Sequence, residues 1–202
     1  MADNRARAAV DHLIFLGRFL RSPRTVGAIA PSSRFLADRM VAGLSFEAGT
    51  TVVELGPGTG AFTRAISERL PAGGRYLGIE RDQVFVGILR RRWPELDYVC
   101  DSVEHLERIA RTKGILPIDH IVSGLPFATL PAVVTRPVLD AVHSTLRPGG
   151  TFTTFQYVHA YPMPAARLFR RQMAERFGPR AAREAVYRNI PPAFVLTWRK
   201  GG

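Results

Sequence analysis

The chain has 202 residues, 46% of them apolar, so it is long enough to bury the core of a single enzyme-sized domain. One cysteine, Cys100, excludes a disulfide framework. An excess of 28 basic over 17 acidic residues gives a formal net charge of +11, which favours an anionic partner such as a membrane surface or a nucleic acid. Most of the basic residues are arginine, which suits phosphate binding, although a genome-wide arginine bias would give the same count.

Apolar runs of strand length alternate with segments of helical periodicity, which predicts an α/β fold with a doubly wound sheet. The predicted helices run to about residue 20 and over 33–43, 61–70, 82–93, 103–113, 131–146 and 164–177. The predicted strands are 51–55, 75–80, 97–100, 118–123 and 151–158, followed by an antiparallel pair near 184–190 and 193–199. The Pro-Gly-Gly run that ends at Gly150 predicts a sharp stop before the fifth strand.

The first predicted helix has a basic and amphipathic pattern. On a helical wheel most of its apolar residues share one broad side and most of its arginines gather on the other, although Val10 and Ile14 do not follow this division. Such a helix can lie in the lipid interface, although a helix docked on the domain fits the pattern equally well. We therefore divide the chain into an N-terminal helical segment, residues 1–44, for membrane contact and as a cofactor lid, and a catalytic domain, residues 45–202.

The most informative motif follows the first predicted strand and reads Val-Val-Glu-Leu-Gly-Pro-Gly-Thr-Gly over residues 52–60. Its glycines allow a tight turn and a close approach of the backbone to a ligand. The E-x-G-x-G-x-G spacing matches neither the dinucleotide fingerprint nor the P-loop. It resembles motif I of class I methyltransferases dependent on S-adenosylmethionine (SAM), whereas unrelated α/β proteins can have a similar turn. The resemblance implies cofactor contacts at Glu54, Gly56, Gly58, Thr59 and Gly60.

Further candidate cofactor contacts occur at the ends of the next strands. Glu80 closes the second strand, where a carboxylate can accept both ribose hydroxyls of a nucleoside. Asp101 follows the third strand, where the methyltransferase pattern places a group that meets the adenine amino group. Ser123 ends the fourth strand. Ser32 belongs to a Pro-Ser-Ser run that either caps a helix or brings N–H groups to the SAM carboxylate.

Four segments together resemble the bacterial phospholipid N-methyltransferases, and the similarity extends over nearly the whole chain. The resemblance implies a Rossmann-like methyltransferase sheet that ends in an antiparallel hairpin. It also implies stepwise methylation of phosphatidylethanolamine toward phosphatidylcholine, with SAM as donor and S-adenosylhomocysteine as product. The segments are residues 24–33, 54–60, 123–126 and 188–194.

The same resemblance implies the partners and the location of the protein. We expect an anionic membrane surface and an aminophospholipid substrate, and neither a nucleic acid, a metal nor an obligate protein partner. The expected location is cytoplasmic, peripherally bound to the inner face of the cell membrane. Tyr157 and His159, with Tyr161 nearby, are the candidate catalytic residues that contact or deprotonate the substrate ammonium. A lone histidine at such a position is more often structural.

Three alternatives stay open. A ribosomal RNA adenine dimethyltransferase has a similar plan, but its acceptor loop has an asparagine where this chain has Gly124. Phe127 in the same loop could stack on a base, pack against an acyl chain or belong to the core. The enzyme could instead act on another aminolipid, such as ornithine lipid. A protein of this fold that binds lipid or RNA without catalysis is the third possibility.

Overall fold

The computed structural model describes residues 32–202, and the predicted first helix lies outside them. The helices are α1 (Arg34–Ala42), α2 (Ala61–Ser67), α3 (Gln83–Arg92), α4 (Leu106–Thr112), α5 (Ala132–Thr145) and α6 (Pro164–Phe177), and a 3₁₀ turn (Val103–His105) precedes α4. The strands are β1 (Thr51–Leu55), β2 (Arg75–Glu80), β3 (Asp97–Cys100), β4 (Ile118–Ser123), β5 (Leu146–Tyr157), β6 (Ala182–Val186) and β7 (Ala193–Arg199).

The strands form one seven-stranded sheet in the order β3-β2-β1-β4-β5-β7-β6. β1 to β5 are parallel, and β7 runs antiparallel to both β5 and β6. The predicted doubly wound sheet with an antiparallel C-terminal hairpin is therefore confirmed. Strands β1 to β6 all end at the same edge, which we call the carboxyl edge. In open α/β sheets this is the edge at which ligands bind.

The core occupies both faces of the sheet, because successive strand residues point to opposite sides. Val53 belongs to the cluster that packs under α4, α5 and α6. Its neighbour Val52 belongs to the cluster under α1, α2 and α3. Every residue of β1 is buried, which is typical of a parallel strand covered on both faces.

The region of residues 147–150 differs from the prediction, which was wrong in placing a stop there. β5 begins at Leu146, directly after α5, and Leu146 pairs with Ile118. The next regular pair joins Thr151 to His120, so β5 uses more residues than β4 over the same stretch. The Pro-Gly-Gly run is thus an irregularity within the strand, of the kind that lets one strand contain extra residues.

The strand predicted near residues 184–190 is also displaced. β6 ends at Val186, and residues 187–192 form the turn to β7. Asn189 shapes this turn with its buried side chain, which donates to the Pro191 carbonyl at 2.7 Å and accepts from the Ser33 N–H at 2.9 Å. The guanidinium of Arg188 lies 4.1 Å from the ring centre of Phe35. The turn therefore holds the start of α1 at the carboxyl edge.

Helix α1 begins at this contact. Ser33 is its N-cap and accepts from the Leu36 N–H at 3.3 Å, which confirms the capping role of the Pro-Ser-Ser run. Buried residues of α1, including Leu36 and Met40, share a core cluster with Val52. The division of the chain near residue 44 stays a prediction. Within residues 32–202, no helix has the length and hydropathy needed to cross a bilayer.

We predict that Asn189→Ala lowers the free energy of unfolding by about 1–3 kcal/mol, because the Ser33 N–H and the Pro191 carbonyl lose their buried partner. Urea denaturation followed by circular dichroism measures the change. The control is Thr112→Ala at an exposed position of α4, with an expected change within about 0.5 kcal/mol. Equal stability of Asn189→Ala and wild type would show that the turn is held by other contacts.

Candidate active site

The glycine loop lies at the carboxyl edge, between β1 and α2. Gly56, Gly58 and Gly60 have φ values of 70°, 57° and 87°, in the left-handed region that favours glycine. Gly60 is also crowded, because a Cβ at this position would lie 2.4 Å from the Trp93 ring. The loop is tied to β2 by the Gly56 N–H, which donates to the Ile79 carbonyl at 2.9 Å.

Glu80 is held against this loop. Its buried carboxylate accepts from the Gly58 N–H at 3.0 Å through one oxygen and from the Asp82 N–H at 2.9 Å through the other. A carboxylate has about four acceptor sites, so both oxygens retain capacity for hydroxyl donors. The two hydrogen bonds from backbone N–H groups hold the carboxylate beside the glycines. An acceptor of ribose hydroxyls must lie at such a position.

Glu54, at the end of β1, is fully buried. Its Oε2 accepts from the Thr63 hydroxyl and from the Tyr76 hydroxyl, each at 2.7 Å. Its Oε1 is buried without a hydrogen-bond partner among the described residues. Burial raises the pKa of the Glu54 carboxyl from 4.5 to about 7, against the hydrogen bonds from Tyr76 and Thr63. A ligand with a donor or a positive charge would supply what Oε1 lacks.

Thr63 and Tyr76 were missed at the level of sequence. Tyr76 lies in a buried strand and Thr63 in a short helix, and neither position has a motif of its own. Their role follows from the sheet, because β2 pairs with β1 and α2 packs on the same face. The sequence did contain a signal for this role: the elements next to the buried acid Glu54 each have a residue with a hydroxyl group, Thr63 in α2 and Tyr76 in β2.

Asp101 lies just beyond β3 and is already well supplied with donors. Its carboxylate accepts from the Ser102 N–H and the Arg108 guanidinium, and it bonds the His105 Nδ1 at 2.8 Å. The hydrogen bond with His105, followed by those from Ser102 and Arg108, lowers the pKa of Asp101 to about 2 against the effect of desolvation. The carboxylate is therefore ionised at neutral pH, and its contact with an adenine amino group stays a prediction.

The remaining predicted cofactor contacts differ in exposure. Ser123 is fully buried at the end of β4, and its hydroxyl accepts from the Leu125 N–H at 3.3 Å. Thr59 is exposed in the glycine loop, and Ser32 is half-buried beside the N-cap of α1. The structure thus gathers the ends of β1, β2, β3 and β4 at one edge. Among residues 32–202, no three His, Cys, Asp or Glu side chains are grouped to hold a metal ion.

Tyr157 and His159 lie at the end of β5 with their rings stacked, 5.7 Å between centres and 9° between planes. Burial raises the pKa of the Tyr157 phenol to about 12, so the phenol is protonated at neutral pH and is a poor proton acceptor. Of the two predicted roles, contact with the ammonium fits Tyr157 better than deprotonation does. Phe127 belongs to the core, where it stacks on Phe169 at 4.5 Å.

The loop after β4 packs directly on the glycine loop. The Gly124 N–H donates to the Leu55 carbonyl at 2.9 Å. A Cβ at position 124 would lie 2.8 Å from the Gly56 carbonyl oxygen, which is closer than real Cβ contacts. An asparagine at this position would therefore displace the glycine loop. The packing of these two loops therefore requires glycine at position 124 in this chain.

Comparison with known proteins agrees with this arrangement. Residues 52–150 match the family described as Methyltransferase domain. The ornithine lipid N-methyltransferase of Singulisphaera acidiphila is 34% identical over 189 residues, which are 91% of this chain and 93% of that protein. The chain belongs to the SAM-dependent methyltransferases. The enzyme class and the cofactor predicted from the glycine loop are thereby confirmed.

Two further similarities are more limited. Ribosomal RNA small subunit methyltransferase A of Thiobacillus denitrificans is 50% identical over 48 residues, 24% of this chain and 18% of that protein. The 1,6-didemethyltoxoflavin-N1-methyltransferase of Burkholderia thailandensis, solved with S-adenosylhomocysteine, is similar in structure with a TM-score of 0.68. The match covers 98% of the present chain and 90% of the Burkholderia enzyme. Because the two sequences are only 20% identical, this similarity supports the fold alone.

The residues present fit SAM. The glycine loop has open space at Gly58, Glu80 offers acceptors beside it, and Glu54 has a buried oxygen without a donor among the described residues. SAM, when bound, supplies an electrophilic methyl group on a sulfonium. We predict that Glu80 holds its ribose and that the loop near Glu54 holds its charged amino-acid end.

We predict that Glu80→Ala weakens binding of S-adenosylhomocysteine by about 2–4 kcal/mol, because charged hydrogen bonds to the ribose are worth roughly 1.5–3 kcal/mol each and are not additive. Isothermal titration calorimetry measures the change. Glu95→Ala, at an exposed position, is the matched control and should bind like wild type. Unchanged affinity in Glu80→Ala would reject the ribose assignment.

We predict a pH dependence of stability that originates at Glu54. The folded protein keeps this proton up to a pKa of about 7, whereas the unfolded chain loses it near 4.5. The stabilisation from Glu54 is therefore greatest below pH 4.5 and is lost as the pH rises to about 7, by roughly 3 kcal/mol. The Glu54→Gln side chain cannot titrate. The difference in free energy of unfolding between this variant and wild type should therefore change by that amount between pH 4.5 and 7.

Urea denaturation of both proteins across this pH range gives the difference curve. Glu95→Gln serves as a control that replaces an exposed glutamate and should run parallel to wild type. A constant difference between Glu54→Gln and wild type from pH 4.5 to 7 would show that the buried carboxyl does not titrate in this window.

Proposed function

We propose that the protein N-methylates the primary amine of a zwitterionic membrane aminolipid, with phosphatidylethanolamine as the first substrate and its methylated intermediates as the next. The observation that carries this proposal is a set of exposed apolar side chains around the carboxyl edge, the edge at which Glu54 and Glu80 lie. We call this set the apolar rim. The similarity to a lipid N-methyltransferase over 91% of the chain supports the same class of substrate.

The apolar rim consists of the large apolar side chains that are exposed in residues 32–202. Each follows a strand that ends at the carboxyl edge: one starts α3, one starts α5, one precedes α6 and two lie in the turn after β6. They are between 42% and 80% exposed, and they are Val84, Val133, Met163, Tyr187 and Ile190. Exposed apolar groups around one edge, on a chain of net charge +11, suit an anionic lipid surface.

The location proposed for the enzyme follows from this rim. Apolar side chains that enter the interface would bring the carboxyl edge to the headgroups, so the substrate amine need not leave the bilayer. The start of α1 is anchored at the same edge by Asn189. The predicted amphipathic helix, which lies outside the described residues, precedes this anchor in the chain. We therefore propose peripheral binding to the inner face of the cell membrane.

The chemistry requires a free amine aligned with the methyl group. The nitrogen lone pair forms the new N–C bond as the C–S bond breaks, and correct alignment can supply roughly 7–11 kcal/mol of the barrier. An alkyl ammonium with a pKa near 10 must first lose a proton, which costs about 4 kcal/mol at neutral pH. The stacked rings of Tyr157 and His159 offer aromatic faces to the cationic products through cation–π attraction.

Ornithine lipid is the second candidate substrate, because the relative that is 34% identical has that lipid in its name. Both lipids present a primary amine a few bonds from an anion, which is a phosphate in phosphatidylethanolamine and a carboxylate in ornithine lipid. Phosphatidylethanolamine stands first because the four segments in the sequence resemble enzymes that methylate it.

An RNA substrate is disfavoured by the loop after β4. The 48-residue similarity to a ribosomal RNA methyltransferase covers 18% of that enzyme. The amide that such an enzyme places on the adenine amino group has no room at Gly124, where a Cβ would lie 2.8 Å from the Gly56 carbonyl oxygen. Phe127 is buried, so its ring is not available to stack on a base.

Methyl transfer from radiolabelled SAM to separate substrate pools tests the proposal. The pools are vesicles with phosphatidylethanolamine, vesicles with ornithine lipid, vesicles of phosphatidylcholine alone, and ribosomal RNA. We expect label in the mono-, di- and trimethylated products of phosphatidylethanolamine, and pelleting of the enzyme with those vesicles. Label in ornithine lipid alone would move the assignment to that lipid, and label in RNA alone would reject a lipid substrate.

A further inference from the structure

Three arginines surround the ring of Tyr161, just beyond β5. The guanidinium carbon of Arg170 lies 3.7 Å from the ring centre, and that of Arg183 lies 5.7 Å from it. Arg180 donates to the phenol oxygen at 3.2 Å. Phe194 closes the cluster with an edge contact to Tyr161. We call Arg170, Arg180 and Arg183 the arginine cluster.

The arginine cluster has no counter-charge within the described chain. None of its members forms an ion pair with a carboxylate in residues 32–202. Glu184, beside Arg183 in β6, is paired with Arg39 at 2.6 Å, and Glu175 of α6 lies 3.7 Å from Arg171. Arg170 donates to the neutral amide of Gln156. Like charges are therefore gathered where nothing in this part of the chain neutralises them.

The electrostatics of the two inner groups agree with that geometry. Burial lowers the pKa of the Arg170 guanidinium, and the charges of Arg180 and Arg183 lower it further. Although burial raises the pKa of the Tyr161 phenol, the hydrogen bond from Arg183 and the charges of Arg180 and Arg170 bring it below its ordinary value. The arginine contributions to both pKa shifts are those of neighbouring positive charges, which an anion would offset.

The guanidinium groups indicate which anion fits. Each has five N–H donors in a planar fork that suits paired oxygens, and Arg180 uses one of them on Tyr161. The surroundings indicate where the anion comes from. Met163 of the apolar rim lies two residues after Tyr161, and the Val158 N–H bonds the Pro192 carbonyl of the turn that contains Ile190. Apolar side chains in the segments that adjoin the cluster, whose guanidiniums lack a carboxylate partner among the described residues, match the boundary between acyl chains and headgroup phosphates.

We propose that the arginine cluster binds the headgroup phosphate of a bilayer phospholipid and thereby docks the carboxyl edge on the membrane. The proposal rests on the proposed lipid function for its setting, but the phosphate site is a separate contact from the cofactor loop. It differs from general attraction of a basic protein to an anionic surface, because three identified side chains converge on one group.

Vesicle binding of the full-length protein tests the site. The variant Arg180→Gln/Arg183→Gln removes two members of the cluster. The control Arg111→Gln/Arg171→Gln removes the same charge from exposed helix pairs with Glu107 and Glu175. On vesicles of phosphatidylcholine and phosphatidylglycerol, the cluster variant should bind roughly tenfold or more weakly, as expected for lost charged hydrogen bonds. The control should change by about twofold or less.

Two further measurements distinguish recognition of a phosphate group from general attraction to negative charge. Vesicles of matched surface potential in which oleate replaces phosphatidylglycerol should show a smaller difference between the cluster variant and the control. Soluble dihexanoyl-phosphatidylglycerol, below its micelle concentration, should show a phosphorus-31 chemical-shift change with wild type and with the control, and none with the cluster variant. Arg180→Lys/Arg183→Lys keeps the charge and should lose most of that shift, since lysine lacks the planar fork.

Equal losses in the cluster variant and the control would overturn the site, because net charge alone would explain binding. A loss confined to binding of an RNA oligonucleotide, measured by fluorescence anisotropy, would also overturn it. S-adenosylhomocysteine affinity should be equal in all proteins, which verifies folding. If wild type shows the phosphorus-31 shift but methylates no aminolipid, the proposed function fails and the site stands. If wild type methylates an aminolipid while the cluster variant and the control bind vesicles equally, the site alone fails.

Discussion

The buried carboxyl of Glu54 is the constraint on which the cofactor edge depends. One oxygen joins β1 to α2 through Thr63 and to β2 through Tyr76. Burying this group is unfavourable, and two donors offset only part of that cost, which is why its pKa is raised. The second oxygen keeps no partner among the described residues. The loop is thus shaped in advance, with one acceptor left for a ligand.

Glu80 extends the same arrangement to the next strand. Its side-chain carboxylate accepts hydrogen bonds from the backbone N–H groups of Gly58 and Asp82. These bonds link the end of β2 to the loop after β1 and to the start of α3. Two neighbouring strands therefore present carboxylates whose positions are fixed by hydrogen bonds rather than by the ligand. Preorganised acceptors of this kind lose little freedom when a ligand binds. These two side chains are the acceptors that the carboxyl edge presents beside the glycine loop.

The local part of this structure could be predicted from sequence. Strand periodicity, the glycine loop and the strand-end acids are patterns within a few residues, and Glu54, Glu80 and Asp101 all lie at the ends of adjacent strands. The errors were local conflicts between signals. Pro and Gly after Leu146 indicated a stop, but pairing with β4 continued the strand around them.

The non-local part could not be predicted, because it depends on side chains that meet only in the fold. Asn189 and Ser33 are 156 residues apart, and no periodicity connects them. The convergence of Arg170, Arg180 and Arg183 on Tyr161 likewise comes from chain folding rather than from spacing. An arginine count gives the charge, but only tertiary structure shows which arginines lack a carboxylate.

The contact between Gly124 and Gly56 also bears on how enzymes of this fold diverge. The two loops touch backbone to backbone, and a Cβ at position 124 would lie 2.8 Å from the Gly56 carbonyl oxygen. A descendant that gained a base-holding side chain at this position would first have to move its glycine loop, and would bind the methyl donor poorly until compensating changes arose. In this chain, a side chain at position 124 therefore requires coordinated changes in both loops.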